Sequence, residues 1–278
     1  MSRVNAIKTF RDLLSFLTII PLGESEGFVE TSARNMFLFP LFGGLIGVFA
    51  AGYFWVVGFV WVFLLGLVSS WIVVTIGLLA QALVCAMTLA FLLVFTGFQH
   101  FDGLVDLGNA VGLKRVEDRR EIAHRWVVTY KGAFLAIFVE FGAFAGLFLL
   151  NGGLALRALV LAEVAAKLAM VTIVWRGKPA HPGLGARFLS NAKRKLNFVA
   201  YVFSFVLGFV LLGFSGLVLV GVAVVFGLFM ERVGNSVFGG VSGDMIGATN
   251  EGARALTLVL TAAFSFFVSF LFSGGLWL

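Results

Sequence analysis

Cysteine, proline and charge are all scarce in this 278-residue chain. It has one cysteine and four prolines, and only 12% of its residues are charged. The single cysteine, Cys85, excludes an internal disulfide and suggests no thiol metal site. With 60% hydrophobic residues and a mean hydropathy of +1.05, the chain has too little polar surface for a soluble domain of this length. The composition therefore predicts an integral membrane protein.

Seven apolar stretches are long enough to cross a bilayer, since about 20 apolar residues span its hydrocarbon core. Strand-type alternation is absent, so we predict an all-α, polytopic helical bundle that forms a single membrane-embedded domain over residues 1–278. Pro40 and Gly43-Gly44 predict tilt or a break at the start of the first span, not two crossings. The predicted spans are 35–65, 71–97, 132–150, 154–175, 196–213, 216–234 and 254–274.

The basic residues fall on one side of this predicted bundle. Of the 20 lysines and arginines, Arg157 lies on the other side and Lys167 lies inside a span. All the others lie in the N-terminal segment, in segments 98–131 and 176–195, or at Arg232 and Arg254. By the positive-inside rule, this side is cytoplasmic in a multi-pass protein of the cytoplasmic membrane, and the C-terminus is outside. The role of these basic residues in orientation leaves no separate basic patch that a nucleic acid would need. We therefore expect the lipid bilayer as a partner and no nucleic acid.

Residues 1–30 are predicted to lie on the membrane surface. Lys8, Arg11 and Asp12 interrupt any apolar core, so a secretory signal is not indicated. The segment instead has one apolar helical face, and Pro21 is expected to end the helix. This face consists of Val4, Ile7, Phe10, Leu14 and Leu17.

Two carboxylates and an amide stand together just after the second span. Asp102, Asp106 and Asn109 have i, i+4 and i+7 spacing and would share one helix face, with Gln99 and His100 close by. Carboxylates at a bilayer edge are costly unless neutralised, and a divalent cation that holds phosphate oxygens neutralises them. The alternative is a capped helix end with solvated carboxylates. In that case His100 would belong to the aromatic belt at the membrane interface or would cap the helix.

A second polar segment, before the last span, is rich in glycine. Gly239, Gly240 and Gly243 would let the backbone approach a ligand, and free N–H groups in such a turn form an anion nest. Asp244 and Glu251 are seven residues apart and could share a helix face. Carboxylates beside an anion nest indicate a metal-bridged phosphate, although glycine-rich helix ends also serve close packing alone.

Basic side chains surround both acidic motifs, with Lys114 after the first motif and Arg176 after the fourth span. Such a rim can clamp an anionic substrate, but basic loops also set topology and contact lipid headgroups. Acidic motifs inside a basic rim suit a metal-assisted reaction on a nucleoside diphosphate, because the metal neutralises the reacting phosphates. The predicted catalytic connections are 97–131, 176–195 and 235–253.

Three charged residues lie deep inside predicted spans, at least seven residues from either end. Glu163 and Lys167 have i, i+4 spacing and are interpreted as a neutralised structural pair. Glu140 has no partner nearby in the sequence, and an intramembrane carboxylate is a functional candidate by default. We rank it below the two motifs, because one isolated residue fixes no chemistry.

Residues 97–112 resemble the His-x-Asp-Gly-x-x-Asp-x-x-Asp-Gly signature of the cobalamin synthase family, the adenosylcobinamide-GDP ribazoletransferases. Residues 239–251 resemble its second signature, Gly-Gly-x-x-Gly-Asp-x-x-Gly-Ala-x-x-Glu, and lesser matches occur at 15–21 and 39–43. The resemblance implies a Mg²⁺-dependent membrane enzyme. Its expected reaction transfers the adenosylcobinamide-phosphate group from adenosylcobinamide-GDP to α-ribazole or α-ribazole 5′-phosphate and releases GMP.

The same hypothesis assigns roles to individual residues. Asp102, Asp106 and Asp244 are the expected ligands of one or two Mg²⁺ ions and the catalytic carboxylates. His100 or a metal-free carboxylate is expected to accept the hydroxyl proton. Further contacts to substrate are expected from Gly239, Gly240, Gly243, Asn109, Glu251, Lys114 and Arg176, of which Asn109 and Glu251 are also possible metal ligands.

The chain departs from the family pattern at three places. Asn109-Ala110 stands where the family commonly has Asp-Gly, and an amide oxygen can bind Mg²⁺ but brings no charge. Residues 124–132 keep only the last glycine of a family run, and Ser236 or Val237 stands where a basic residue is usual. These differences are compatible with a changed substrate or a weakened activity.

Two rival functions follow from the same residues. A CDP-alcohol phosphotransferase of lipid synthesis also places aspartates at a membrane helix end, but its Asp-Gly-x-x-Ala-Arg beginning is absent after Asp102-Gly103. A transporter could use Glu140, Glu163 and Lys167 as a polar path, but the sequence has no internal inverted repeat to support it.

Overall fold

The computed structural model describes residues 3–23, 27–66, 73–123, 125, 127–192 and 194–272. Within these residues the chain is helical and has no β-strand, which confirms the all-α prediction. The helices are α1 (Arg3–Leu17), α2 (Phe28–Arg34), α3 (Phe39–Gly66), α4 (Val73–Phe95), α5 (Gln99–Ala110), α6 (Val116–Ala123), α7 (Tyr130–Phe148), α8 (Gly152–Arg176), α9 (Leu184–Ala192), α10 (Phe198–Phe238) and α11 (Gly243–Phe272).

Six of the described helices are long and apolar enough to cross a membrane, judged by length and composition. They are α3, α4, α7, α8, α10 and α11, so the chain is a multi-pass membrane protein. The first four lie within a few residues of the predicted spans. Positions 71–72 and 273–274 of the predicted spans lie outside the described residues.

The longest helix, α10, consists of two antiparallel halves joined by a tight turn at Gly213. The backbone there leaves the helical region, with φ 61° and ψ −138°, a conformation open to glycine. A Cβ on Gly208 would lie 2.9 Å from the Gly216 carbonyl oxygen, whereas eight residues of straight helix would separate them by about 12 Å. Tyr201 and Gly227, one from each half, both contact Thr172 of α8. Among the described residues, α10 therefore contributes two apolar segments, and the other five candidate spanning helices bring the number of segments to the seven that were predicted.

The central helix of the bundle is α8, against which α3, α10 and α11 pack. In its most apolar 18-residue window, 89% of the residues are buried. Small side chains permit this, because they let neighbouring backbones approach closely. Gly43 of α3 shows the fit: a Cβ on it would lie 2.5 Å from the Glu163 carbonyl oxygen. The buried alanines of α8 are Ala155, Ala158, Ala162, Ala165, Ala166 and Ala169.

One predicted boundary is wrong. The last span was expected from residue 254, but α11 begins at Gly243. Arg254 is therefore in mid-helix and only 1% exposed, not at a membrane-edge connection. The first span, expected with tilt or a break at its start, begins with a short 3-10 turn over Met36–Leu38 that is followed directly by α3. Pro40 lies in the first turn of α3, where its missing N–H costs no helical hydrogen bond.

The connections lie at two opposite ends of the bundle. At one end, Arg157 donates to the Leu211 carbonyl oxygen near the turn of α10 (3.5 Å), and Gln81 donates to the Phe148 carbonyl oxygen (2.7 Å). The short helices α2, α5, α6 and α9 lie at the other end, together with both polar motifs. We call this the site end.

The first helix, α1, packs against α2 and α3 at the site end. Its buried apolar residues are Leu13, Leu14 and Leu17. Ile7 and Phe10 are 72% and 50% exposed, so the predicted apolar face is only partly the buried one. The side chain of Val4, also predicted on that face, lies outside the described residues.

Candidate active site

The first polar motif lies on α5, a short helix set off from α4 by a sharp turn. The Thr96 hydroxyl donates to a carbonyl oxygen in the last turn of α4 (2.9 Å). Gly97 and Phe98 then take left-handed conformations, with φ 67° and 57°, which glycine adopts readily and phenylalanine rarely. The turn makes α5 a separate helix on which Asp102 and Asp106 are about one turn apart on one face.

The two polar motifs meet where α5 crosses the first turns of α11. A Cβ on Gly103 would overlap the backbone of Asp244. A Cβ on Gly247 would lie 3.0 Å from the Cα of His100. Glycine at both positions therefore permits the close crossing that sets Asp244 beside the acidic face of α5.

The carboxylates at this crossing repel one another. Asp102 is exposed, whereas Asp106 and Asp244 are partly buried. Burial, followed by the like charges of Asp244 and Asp102, raises the pKa of Asp106 to about 7. Asp106 also accepts a long hydrogen bond from the Asn109 side chain (3.4 Å), which only partly offsets the repulsion.

These three carboxylates fit an open magnesium site, not a closed one. Among the described residues, no group of three or more His, Cys, Asp or Glu side chains forms a ready cage for a metal ion. Mg²⁺ keeps several waters and takes one or two carboxylates together with substrate phosphates. A divalent cation would reduce the repulsion among the carboxylates around Asp106. Magnesium thus stays a prediction, for which Asp102, Asp106 and Asp244 offer suitable oxygen donors.

A cavity of about 260 Å³ opens beside Asp244. His100 contributes to its wall from α5, and Gly243 and Asp244 contribute from α11. Phe16 and Phe188 close it on the apolar side, with their rings stacked at 5.3 Å. The cavity therefore has one polar wall and one apolar wall, as a ligand site requires. Its other lining residues are Gln99, Val29, Met170, Gly185, Ile246 and Gly247.

The glycine-rich segment before α11 is held by backbone hydrogen bonds. The Val241 N–H donates to the Lys178 carbonyl oxygen (2.7 Å), and the Gly240 N–H donates to a carbonyl of the last turn of α10 (3.2 Å). Gly239, with φ 72°, ends α10 and bonds back to the same turn. Of the three glycines predicted to bind substrate, Gly243 lines the cavity and has open space around it. The backbone N–H groups of Gly239 and Gly240 are hydrogen-bonded within the turn.

Asn109 ties α5 to α7. Its side-chain oxygen accepts from the Thr129 N–H (2.9 Å) and from the Thr129 hydroxyl (2.8 Å). Its amide group donates to the Val127 carbonyl oxygen (2.7 Å), and Thr129 itself caps α7 through the Gly132 N–H. Asn109 is only 4% exposed. The Asn109 oxygen is thus engaged in a structural link, and its predicted contact with metal or substrate stays a prediction.

Glu251 lies in a buried charge network, not at the cavity. Arg254 pairs with Glu251 and donates to Glu163 through Nε (2.5 Å). Lys167 donates to Glu163 (3.2 Å) and to the Asn250 side-chain oxygen (2.8 Å). All five side chains are at most 1% exposed. The predicted Glu163–Lys167 pair is present. The Glu251 carboxylate is paired with Arg254, and its predicted contact with substrate stays a prediction.

His100 lies between the cavity and this network. Its Nδ1 is 4.0 Å from Glu251 and has no hydrogen-bond partner among the described residues. Burial, together with the charges of Lys167 and Arg254, lowers the pKa of His100 well below its usual value. The ring is therefore neutral at pH 7. Glu140 of α7 borders the network on another side, where Glu251 and Arg254 are its charged neighbours.

The basic residues around the motifs have different uses. Arg119 and Arg120 of α6 donate to the last carbonyl oxygens of α10 (2.7 to 3.2 Å), where positive charge stabilises a helix end. Lys114 is exposed in the turn before α6. Arg176 lines a lipid-facing groove and not the cavity. The predicted substrate contact of Arg176 is thus not at this cavity.

The sequence motifs did not reveal Arg254, Asn250, Arg119 or Arg120 as important side chains. Their partners are far away along the chain: Arg254 and Glu163 are 91 residues apart. Arg119 and Arg120 carry no local signal beyond a run of basic residues. Only the packing of α6, α8, α10 and α11 shows which side chains and helix-end carbonyl oxygens these four residues contact.

Fold and site together define a multi-pass membrane protein with an acidic centre at one end of its bundle. A family model described as Cobalamin-5-phosphate synthase matches residues 9–78 and 58–262. The chain belongs to this family and is a transferase.

Several curated relatives carry the name adenosylcobinamide-GDP ribazoletransferase. The protein of Methanosarcina barkeri is 27% identical over 276 residues, covering 91% of each chain. That of Methanococcoides burtonii is 29% identical over 273 residues, again covering 91% of each. That of Halorubrum lacusprofundi is 30% identical over 275 residues, covering 91% of this chain and 95% of the relative. No solved structure matches the chain.

Proposed function

We propose that the protein joins the two halves of the cobalamin nucleotide loop. It transfers the adenosylcobinamide-phosphate group from adenosylcobinamide-GDP to α-ribazole or α-ribazole 5′-phosphate, and GMP leaves. The reaction depends on Mg²⁺ and takes place on the cytoplasmic side of the cytoplasmic membrane, where the N-terminus also lies. The observation that carries the proposal is the α5–α11 crossing, which brings Asp102, Asp106 and Asp244 close together, with Asp244 in the wall of the cavity.

In this reaction a ribose hydroxyl oxygen attacks the phosphorus on the cobinamide side of the diphosphate. A new P–O bond forms, the P–O bond to GMP breaks, and the hydroxyl loses its proton. When bound, Mg²⁺ supplies a positive charge that neutralises the diphosphate and the departing GMP. Catalysis of this kind depends mainly on positioning and charge neutralisation.

The chain's own residues divide these tasks. Asp102 and Asp244 offer exposed or partly exposed carboxylates at the crossing and would hold the metal together with Asp106. Gly243, the first residue of α11, presents backbone at a helix N-terminus, which favours phosphate oxygens. His100 is neutral in the cavity wall and can accept a hydrogen bond or a proton from the attacking hydroxyl.

Turnover by the purified protein tests the proposal. Adenosylcobinamide-GDP and α-ribazole 5′-phosphate are supplied with and without Mg²⁺, and GMP and the corrinoid product are both quantified. We expect metal-dependent formation of the two products in equal amounts. Asp118→Asn, a change at an exposed carboxylate of α6, is the matched control for Asp102→Asn and Asp244→Asn. Normal turnover by both Asp102→Asn and Asp244→Asn would contradict the assignment.

The same assay separates the acceptors and the rival lipid function. Free α-ribazole and its 5′-phosphate are compared in direct competition. A CDP-linked lipid precursor is offered in a parallel reaction, with CMP release as the readout. Release of CMP without any GMP would replace the proposed reaction by a CDP-alcohol phosphotransfer.

A further inference from the structure

A second, larger cavity faces the lipid side of the bundle. It has a volume of about 640 Å³ and lies between α8 and the two halves of α10. This volume is within the range of ligand pockets, about 300–1,000 Å³. Its walls are mostly apolar, with Phe205, Val206, Val224 and Leu228 among the lining residues. Val206 is 59% exposed, so the groove is open at the outer surface of the bundle.

The hairpin shape of α10 produces this groove. Gly208 and Gly216 bring the two halves into backbone contact near the turn. Further toward the site end, Phe205 and Val224 line the groove from opposite halves. The half before Gly213 is about 22 Å long, shorter than the hydrocarbon core of about 30 Å. An apolar chain from outside the protein can therefore lie along the groove beside this short half.

One end of the groove has the features of a headgroup site. Arg176, the last residue of α8, lines the groove and is exposed, and it forms no ion pair or hydrogen bond with the described residues. The rings of Trp175 and Tyr201 lie 5.7 Å apart at the same level. The Tyr201 hydroxyl is hydrogen-bonded to Thr172 (2.9 Å). Tryptophan and tyrosine are enriched at the level of lipid headgroups, so this end meets the interface while the apolar walls meet the acyl chains.

We propose that this groove binds one anionic phospholipid. Its phosphate contacts Arg176, and one acyl chain lies between the two halves of α10. The uncompensated charge of Arg176 favours an anionic headgroup over a zwitterionic one, which brings its own cation. The site is separate from the acidic crossing, and the proposal does not depend on the transferase reaction.

Native mass spectrometry of the detergent-solubilised full chain tests the proposal. The protein is exchanged into equal amounts of phosphatidylglycerol and phosphatidylcholine with the same acyl chains. We expect one retained phosphatidylglycerol per chain, preferred about fivefold over phosphatidylcholine. Arg176→Gln should abolish this preference. Arg157→Gln, at the opposite end of the bundle, should leave it unchanged.

A second pair of variants tests the acyl-chain position. Val224→Trp fills the groove and should abolish retention of either lipid. Val225→Trp adds the same side chain at a neighbouring residue that is 65% exposed and does not line the groove, so retention should persist. If Val224→Trp does not fold, Val206→Trp fills the groove from its exposed rim.

Three outcomes would overturn the proposal. Equal retention of the two lipids by the unaltered protein would refute a headgroup site. An unchanged preference in Arg176→Gln would remove the phosphate contact. Full retention after the groove is filled would place the bound lipid elsewhere on the protein.

Discussion

Two groups of carboxylates lie close together on α5, α8 and α11, yet their surroundings differ. In the inner group, Glu163 and Glu251 are buried and each pairs with a cation of the protein. In the outer group, Asp102 and Asp106 form no ion pair with the described residues, and Asp244 accepts a hydrogen bond from the Ser242 hydroxyl (3.2 Å). The inner charges are neutralised within the fold, whereas those of Asp102 and Asp106 are not.

This difference separates stability from chemistry. A buried carboxylate must be paired, because an unpaired charge away from water is very costly. A partly exposed carboxylate tolerates repulsion from its neighbours and gains most from a cation that arrives with the substrate. We therefore expect changes in the inner group to affect folding, and changes in the outer group to affect turnover.

Loss of the inner cation should have the largest effect. Arg254→Met leaves Glu163 and Glu251 to be neutralised by Lys167 alone, so we expect the free energy of unfolding to fall by about 3–5 kcal/mol. Denaturation in detergent, followed by circular dichroism, measures this loss. Arg232→Met, at an exposed position of α10, is the control and should change it little. An Arg254→Met protein as stable as the control would show that the network contributes no pairing energy.

Loss of an outer carboxylate should greatly slow turnover but leave the fold intact. Asp102→Asn or Asp244→Asn should lower kcat/KM by about 10²–10³, the usual effect of removing one electrostatic contact to a reacting group. Thermal unfolding midpoints should stay close to that of the unaltered protein. A large drop in the unfolding midpoint with unchanged kcat/KM would show that the outer carboxylates support folding and not turnover, which contradicts the proposal.

The contact between α5 and α11 can be tested with a single methyl group. Gly103→Ala places a Cβ against the Asp244 backbone, so it should force the helices apart and destabilise the protein by about 1–3 kcal/mol. Gly58→Ala is the matched control, because nothing lies within 4 Å of that position in α3. The control should gain up to about 1 kcal/mol from helix propensity. Equal stability of the two variants would mean that the crossing is not tightly packed.

The smallest expected effect is on the pH dependence of stability. The pKa of Asp106 is raised from 3.8 to about 7 in the folded chain. At a pH between these two values, the folded state keeps a proton on Asp106 that the unfolded state has lost. This contribution is fully present below about pH 4 and is lost as the pH rises through 7. Because solvent screens this partly exposed group, we expect the metal-free unfolding midpoint to fall by only about 2–4 °C from pH 5 to pH 8.

Asp106→Asn should remove that slope, because the amide does not titrate. Mg²⁺ should raise the unfolding midpoint of the unaltered protein more at pH 8 than at pH 5, since protons compete for the same oxygens at low pH. Differential scanning fluorimetry at the two pH values measures both effects. The same slope in Asp106→Asn would assign the pH dependence to another group.

Local features of the sequence predicted the spans and both polar motifs. A run of apolar residues reveals a helix such as α4, and the spacing of Asp102 and Asp106 reveals a shared face. The gap between two predicted spans, at residues 214–215, lies directly after the turn at Gly213. These features need only neighbouring residues, so no tertiary contact had to be known.

Partners distant in sequence could not be predicted in this way. Arg254 was interpreted as an orientation signal, because nothing near it indicates that Glu163 on another helix is its partner. Asn109 occupies a motif position where its side-chain oxygen suggested a metal ligand, but the oxygen is engaged by Thr129. The role of Gly103 in the helix crossing likewise depends on the approach of α11.

A double-mutant cycle between Asp102 and Asp244 tests the central claim most directly. If these carboxylates act as one metal-dependent centre, either substitution to asparagine should remove most of kcat/KM for GMP release, and the double variant should be only slightly worse than the single ones. Losses that simply multiply in the double variant would contradict a shared centre and would show that Asp102 and Asp244 act independently.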